Sequence, residues 1–230
     1  MNTADNHLIE LLPADSKKRL LALCEPVQLR FSQRLGEPDQ PSSHVYFPVD
    51  AFVSLVALIE GHPGLEVGMV GREGMVGAHL MLGVGIAPLR ALVQGSGSAW
   101  RLAASSFQAE LALSPGLQIM SNRYIYVLMA QMARSATCLR FHPILPRLAR
   151  WLLMSQDRAH AADFQVTHEL LAFLLGVRRV GITQAAGRLQ GLGLIAYHRG
   201  HVSVLNRAGL EAAACSCFAK DKLIYATHLA

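Results

Sequence analysis

The chain has 230 residues, 52% hydrophobic and 16% charged, enough for one large domain or two small ones. Its apolar residues are dispersed, and no run approaches the roughly 18 that a membrane span needs. An integral membrane protein, a collagen-like fibre and a disordered tail are therefore excluded. The net charge of +5 is unevenly spread: Arg140 to Arg207 holds nine Arg against Asp157, Asp163 and Glu169, a surplus of +6, while the remainder carries −1. A cationic C-terminal part points to a polyanionic partner.

The N-terminal stretch MNTADNHLIELLPADSKKRL is acidic before it is basic and has no apolar h-region. No secretory signal is expected, and the protein is expected to be cytoplasmic. Leu8, Leu11, Leu12, Leu20 and Leu21 are spaced for two short helices broken near Pro13 and Asp15. From Val27 to about Leu102 the pattern becomes short β-branched and aromatic runs (VQLRF, HVYFPV, FVSLVALI, LEVGMV, RALVQ, SAWRL) punctuated by Gly and Pro. Many short strands with turn signals predict a sandwich or small barrel. SSFQAEL predicts a short helix capped by Ser105 or Ser106.

Pro115 then opens a long helix, from about Gly116 to Leu139, at a position where proline is tolerated. Met120, Tyr124, Val127, Leu128 and Met132 form one apolar face at spacings of three and four. The helix is longer than a small barrel needs for cover, so its exposed stretch is expected to meet the same helix of a second chain, as in a two-stranded coil, with a single helix packed on its own domain as the alternative. A hinge is expected at Phe141-His142-Pro143, because proline disfavours helix at the residue before it. A further helix follows, about Ile144 to Arg158, with Leu148, Trp151, Leu152 and Leu153 inward, and AHAADFQ reads as a loop.

The most specific signal is THELLAFLLGVRRVGITQAAGRLQGLGLI, Thr167 to Ile195. Thr167 is placed to cap a first helix, with Leu171 and Leu175 buried and Ala172 small enough for a close crossing. Gly176 sits at the turn, where a left-handed backbone is needed. Val177, Ile182, Ala185, Ala186 and Leu189 continue the buried stripe on a second helix, giving a helix-turn-helix. That helix, about Arg178 to Gln190, shows Arg178, Arg179, Val180, Thr183, Gln184 and Arg188 outward. Arg can grip guanine O6 and N7, Gln can pair with adenine, and Val or a Thr methyl can touch the thymine methyl. Two β-runs after it, joined by His198-Arg199-Gly200, form a wing, with Arg199 placed to reach phosphate.

With Leu175-Gly176-Val177-Arg178-Arg179, Leu192-Gly193-Leu194-Ile195 and Gly71-Arg72-Glu73-Gly74-Met75-Val76-Gly77 in place, the whole chain resembles the Crp/Fnr family of transcription regulators. The resemblance implies an α+β protein in three parts. Residues 1–114 are a cyclic-nucleotide-binding-like, jelly-roll-like β-roll, residues 115–141 a dimerisation helix, and residues 142–230 a winged helix-turn-helix domain. It implies a homodimer on a near-palindromic operator in double-stranded DNA, in contact with RNA polymerase if it activates. Arg179, Val180 and Gln184 fall where the family contacts bases; the best-known members carry Arg, Glu and Arg there, so this operator differs. Thr167 and His168 fall where the family contacts phosphate.

On the effector side, the family's phosphate cassette maps to Gly71 and Glu73 with Arg90 and Ala91. Cyclic AMP-binding members follow this turn with Arg-Ser or Arg-Thr, whereas no hydroxyl follows Arg90, and a cyclic phosphate needs convergent donors; Arg90 is equally expected to pair with Glu73 or another acid. No cyclic nucleotide is expected. Cys24 alone near the N-terminus is too little for an iron–sulfur cluster. Haem needs only one or two axial ligands, which His44, His62, His79 or Cys24 offer, so haem stays open. Cys24, Cys138, Cys215 and Cys217 are too scattered for a disulfide scaffold, and Cys215 and Cys217 are too close for a usual zinc knuckle. They are expected as reduced thiols, the last two as small residues of a C-terminal helix, and no metal is expected. A non-enzyme is expected. Two alternatives stand beside it: a cupin-like metalloenzyme, for which His44, His62 and His79 lack an H-x-H pair, and a nucleotide-binding module without a DNA role.

Overall fold

The computed structural model describes residues 6–62, 64–159 and 163–229. Helices α1 (His7–Glu10) and α2 (Ala14–Leu23) flank Pro13. Seven strands follow: β1 (Glu25–Leu29), β2 (Arg34–Gly36), β3 (His44–Pro48), β4 (Phe52–Ala57), β5 (Leu65–Val70), β6 (Arg90–Gly95) and β7 (Gly97–Ala103). They pair antiparallel into two sheets, ordered β1-β7-β3 and β2-β6-β4-β5. Leu29, Val53, Leu55, Val70, Val93 and Ala99 fill the space between them, a jelly-roll-like core.

Strands β3 and β4 have no exposed residue. Successive side chains of a strand point to opposite faces, so an unbroken apolar run needs cover on both. In β3, Tyr46 enters the inter-sheet core, while Val45 and Phe47 pack with α1, α2 and the following helices α3 (Ala104–Leu113) and α4 (Pro115–Phe141). In β4, Val53 and Leu55 turn inward. Phe52 and Val56 instead join Leu148, Trp151 and Leu152 of α5 (Ile144–Ala159). The outer face of β4 and β5 is thus the platform on which the C-terminal part sits.

A carboxylate is caught at this platform. Glu66 of β5 lies opposite Val56, and its Oε2 accepts from the Ser54 hydroxyl and from Trp151 Nε1 at 3.3 Å. Burial pushes its carboxyl up from 4.5 to about 7. The folded state therefore holds this proton where the unfolded chain has released it, so the contact loses stability as pH rises from about 4.5 to about 7. Glu66→Gln is expected to match the wild type below that window and to exceed it by about 3 kcal/mol above it. Urea unfolding of both proteins across this range measures the difference, and parallel curves refute the assignment.

Helix α4 has 27 residues, with Pro115 in its first turn and the Ser114 hydroxyl accepting from Leu117 N at 3.3 Å. The expected dimer face is corrected here. Met120, Tyr124 and Val127 are buried against the protein's own β-roll, and the Tyr124 hydroxyl donates to the Met75 carbonyl at 3.1 Å. Leu128 and Met132 are half-buried against the inter-sheet core. Periodicity identifies an apolar stripe but not its partner, and the most apolar stripe covers the nearest core.

Beyond α5 come β8 (Asp163–Gln165), α6 (His168–Leu175), α7 (Arg179–Gly191), β9 (Ile195–His198), β10 (His201–Val204), α8 (Arg207–Ala213) and α9 (Cys217–His228). AHAADFQ was expected as a loop. Its residues 163–165 instead pair with β10 in a three-stranded sheet, β8-β10-β9, while 160–162 lie outside the described residues. Helix α9 packs on α4 and α5, where buried Asp221 meets Arg150 at 2.6 Å and Arg134 at 2.8 Å. Among the described residues no single helix is long and apolar enough to cross a membrane.

Candidate nucleic-acid interface

The Thr167 hydroxyl accepts from Leu170 N at 3.1 Å and starts α6. The helix stops at Gly176, whose φ of +62° no branched residue adopts without strain. Val177 N donates to Ala172 O at 3.0 Å and Gly176 N to Phe173 O at 3.2 Å, closing a Schellman turn. The chain bends by 111° between α6 and α7, within the helix-turn-helix range. Ile182, Ala185, Ala186 and Leu189 bury the inner face of α7 in a cluster shared with α5 and α6.

The outer face of α7 and the turn before it show Arg178, Arg179, Val180, Thr183, Gln184 and Arg188, all exposed. The wing projects beside them as a two-residue hairpin, Arg199 and Gly200, both at positive φ (+48° and +81°) as a type I′ turn requires. Arg178, Arg179, Arg188 and Arg199 form no ion pair among the described residues. Arg140 is exposed as well, over the Phe141 ring, whereas the remaining four cations of the segment behave differently. Arg147, Arg150 and Arg158 are buried, and Arg207 pairs with Asp157 at 2.7 Å and with Glu211 at 3.0 Å. Close to half of the positive count read from sequence is therefore architecture.

His168 does not stand free for phosphate. Its Nδ1 is 3.1 Å from the Thr183 hydroxyl, which itself donates to Arg179 O, so Nδ1 carries the proton. Its ring lies 4.3 Å from that of Tyr197. Burial, then the Arg179 charge, hold it below its usual range, so it is neutral and locks α6 to α7 and the wing. Thr167 is exposed, with its hydroxyl already engaged in the cap.

Residues 146–213 match the sequence model of the Crp-like helix-turn-helix domain. The structure superposes on FixK2 from Bradyrhizobium japonicum with a TM-score of 0.70 at 15% identity, covering 84% of this chain and 98% of that one. It superposes on the c-di-GMP-responsive global regulator CLP of Xanthomonas campestris with a TM-score of 0.67 at 19% identity, covering 84% and 99%. A putative Crp/Fnr-family regulator from Eubacterium rectale gives 0.69 at 15% identity, covering 90% and 96%. The chain has the fold of a Crp/Fnr regulator. No curated protein matches it by sequence.

On this Crp/Fnr scaffold the expected effector residues are dispersed. Arg90 Nε donates to both carboxylate oxygens of Glu37, at 3.0 and 3.1 Å. Glu73 accepts from buried Arg158 of α5, at 2.7 Å from Nη2 and 2.8 Å from Nε. A Cβ on Gly71 would stand 2.6 Å from Arg158 Cγ, so glycine there permits the close approach of α5. The Gly-Glu turn, expected to face a phosphate, instead fastens the C-terminal part to the β-roll. Of the four residues only Ala91 lines the β-roll cavity, with Ser42, His44, His79, Leu128 and Met132 among its other walls. That cavity measures about 70 Å³, against roughly 300–1,000 Å³ for ordinary ligand pockets.

The cysteines also depart from expectation. Cys24 lies apart, its thiol pushed up to about 12 by burial. Cys138, Cys215 and Cys217 converge with His142, their ligand atoms all within 4.8 Å of one another. The hydrogen bond with the Cys138 thiol lowers the Cys215 thiol below its ordinary range. The close spacing of Cys215 and Cys217 had argued against a metal. That argument did not weigh Cys138 and His142, from a segment more than 70 residues earlier, which no local pattern joins to them.

Proposed function

We propose that the protein is a dimeric, sequence-specific DNA-binding regulator, with α7 in the major groove and the wing on the flanking backbone. The observation that carries this reading is the outer face of α7: exposed Arg178, Arg179 and Arg188, without an ion pair among the described residues, beside Val180, Thr183 and Gln184, base-reading chemistry on a helix whose inner face is buried. Arg179 and Gln184 read base edges, and Arg199 and the α6 N-terminus contact phosphate. Residues 1–114 act as the sensor-like part, 115–141 as the dimer helix and 142–230 as the reading part. The role is regulatory rather than enzymatic, carried out in the cytoplasm where the operator lies, with RNA polymerase as a further partner if the protein activates. The small cavity and the Glu37-bound Arg90 favour a β-roll that takes no cyclic nucleotide.

The dimer seam lies on the opposite side of α4 from the stripe read in sequence. Ile119, Asn122, Tyr126, Met129, Ala133 and Ala136 are exposed. They alternate at spacings of three and four, the heptad of a two-stranded coil. Met129→Glu is expected to convert the dimer to monomer in sedimentation equilibrium while leaving the fold intact. Met120→Ala, in the protein's own core, is expected to lower stability by about 2–4 kcal/mol and keep the dimer. The reverse pattern refutes this seam.

Selection from randomised duplexes at moderate salt tests the whole reading. A near-palindrome is expected, with half-sites one helical turn, roughly 34 Å, apart. Equal recovery of all sequences refutes it.

A further inference from the structure

We propose that Cys138, His142, Cys215 and Cys217 form a tetrahedral Cys₃His metal centre that takes zinc and staples the hinge before the DNA-reading part. Cys138 lies in the last turn of α4, and His142 is the residue that ends it. Cys215 precedes α9 and Cys217 opens it. All three thiols are buried and His142 is half-buried. Cys138 and Cys215 Sγ are 3.5 Å apart, and Cys217 Sγ is 3.6 Å from His142 Nδ1. Ligands of one tetrahedral ion with Zn–S near 2.3 Å stand roughly 3.8 Å apart. The four atoms therefore already surround a space of single-ion size. An iron–sulfur cluster spreads its ligands over separate irons and needs a wider cage. Three thiolates and one imidazole select a borderline-soft ion such as zinc over magnesium or calcium.

Charge supplies a second, independent argument. Arg147 is buried beside these thiols, and its Nη2 donates to the Leu175 carbonyl, but it meets no carboxylate among the described residues. Buried cations normally have a counter-charge. Zn²⁺ with three thiolates and a neutral imidazole carries −1, the charge that Arg147 lacks. Arg150 is already committed to Asp221. On binding, each thiol still protonated gives its proton to solvent and its sulfur lone pair to the ion, with no change of oxidation state.

The position defines the consequence. One ion would tie the end of α4 and the link that leads into α5 to the base of α9, and α9 packs on both helices. Zinc would then hold the reading part at a fixed angle to the dimer helix. This role rests on the DNA-binding reading; the metal centre itself does not.

The test uses the full chain, purified under reductant, stripped with chelator and titrated anaerobically with cobalt(II) and then zinc(II). One cobalt per chain is expected, with the visible bands of a tetrahedral thiolate site, displaced by zinc. Zinc should protect three of the four thiols from alkylation, a reading that needs no variant. Cys215→Ser and Cys138→Ser should lose the cobalt spectrum, whereas Cys24→Ser should keep it. Absence of stoichiometric metal, a Cys138–Cys215 disulfide as the stable form in zinc-supplied protein, or full cobalt binding by Cys215→Ser would each overturn the site. Stripping should also weaken binding to the selected operator by roughly five- to a hundredfold with the dimer intact. Unchanged affinity overturns the hinge role, and zinc-loaded protein that binds no operator overturns the DNA reading instead.

Discussion

Arg179→Ala is expected to weaken operator binding by about 1–3 kcal/mol and to relax the base preference at one position of each half-site. Arg179 is the first residue of α7, exposed, and without an ion pair among the described residues. Its neighbours fix the backbone that carries it, because Thr183 holds the Arg179 carbonyl at 3.1 Å and is itself held by His168. A guanidinium so placed can form two parallel bonds to guanine from a planar fork, which the point charge of lysine does not offer. Arg199→Ala on the wing should behave otherwise, weakening all sequences about equally and flattening the salt dependence. Competition binding against a scrambled duplex at several salt concentrations separates the two. If Arg179→Ala leaves the specific-to-nonspecific ratio unchanged, Arg179 reads no base.

Gly176→Ala is expected to cost about 2–3 kcal/mol in urea unfolding. Two effects add. The φ of +62° penalises any Cβ by about 1–2 kcal/mol. That Cβ would also stand 2.6 Å from Leu65 Cδ1 of the β-roll, so the clash lies between the turn and the platform beneath it. Gly187 is the control. It lies within α7 with nothing within 4 Å of an added Cβ, so Gly187→Ala should be neutral or stabilise by up to about 1 kcal/mol. A Gly176→Ala protein as stable as wild type would show that the turn relaxes without strain.

The helix-turn-helix was legible because its determinants are local. A threonine cap, a glycine in the left-handed region and apolar anchors at helical spacing act within a few residues of one another. The exposed face of α7 follows from them by geometry. The strand region was legible as a class for the same reason: short alternating runs between turn residues have few other solutions. Pairing order and sheet membership were not, since β1 (Glu25–Leu29) pairs with residues 97–101 of the distant β7.

Where readings failed, distance along the chain was the cause. Met120, Tyr124 and Val127 were correctly placed on one face of a long helix, but nothing in a period of 3.6 distinguishes a partner chain from the protein's own sheet. Arg90 was expected either in a ligand cassette with Glu73 or paired with an acid; it pairs with Glu37, and Glu73 pairs with Arg158. His168, assigned to phosphate, was near enough in space to Tyr197 to become a packing residue.

The amino-acid sequence by itself determined the helix-turn-helix, the exposed face of its second helix, the small-strand character of the N-terminal part and the helix break at His142-Pro143. These depend on contacts between neighbours, whose energies are set by residue type and spacing. Only the tertiary structure decided which cations face solvent, which side of α4 is free, how the Gly-Glu turn is used and that three cysteines and a histidine meet at the hinge. Such facts depend on which distant surfaces come together, and burial then gives each charge, thiol and apolar stripe a partner that spacing along the chain does not specify.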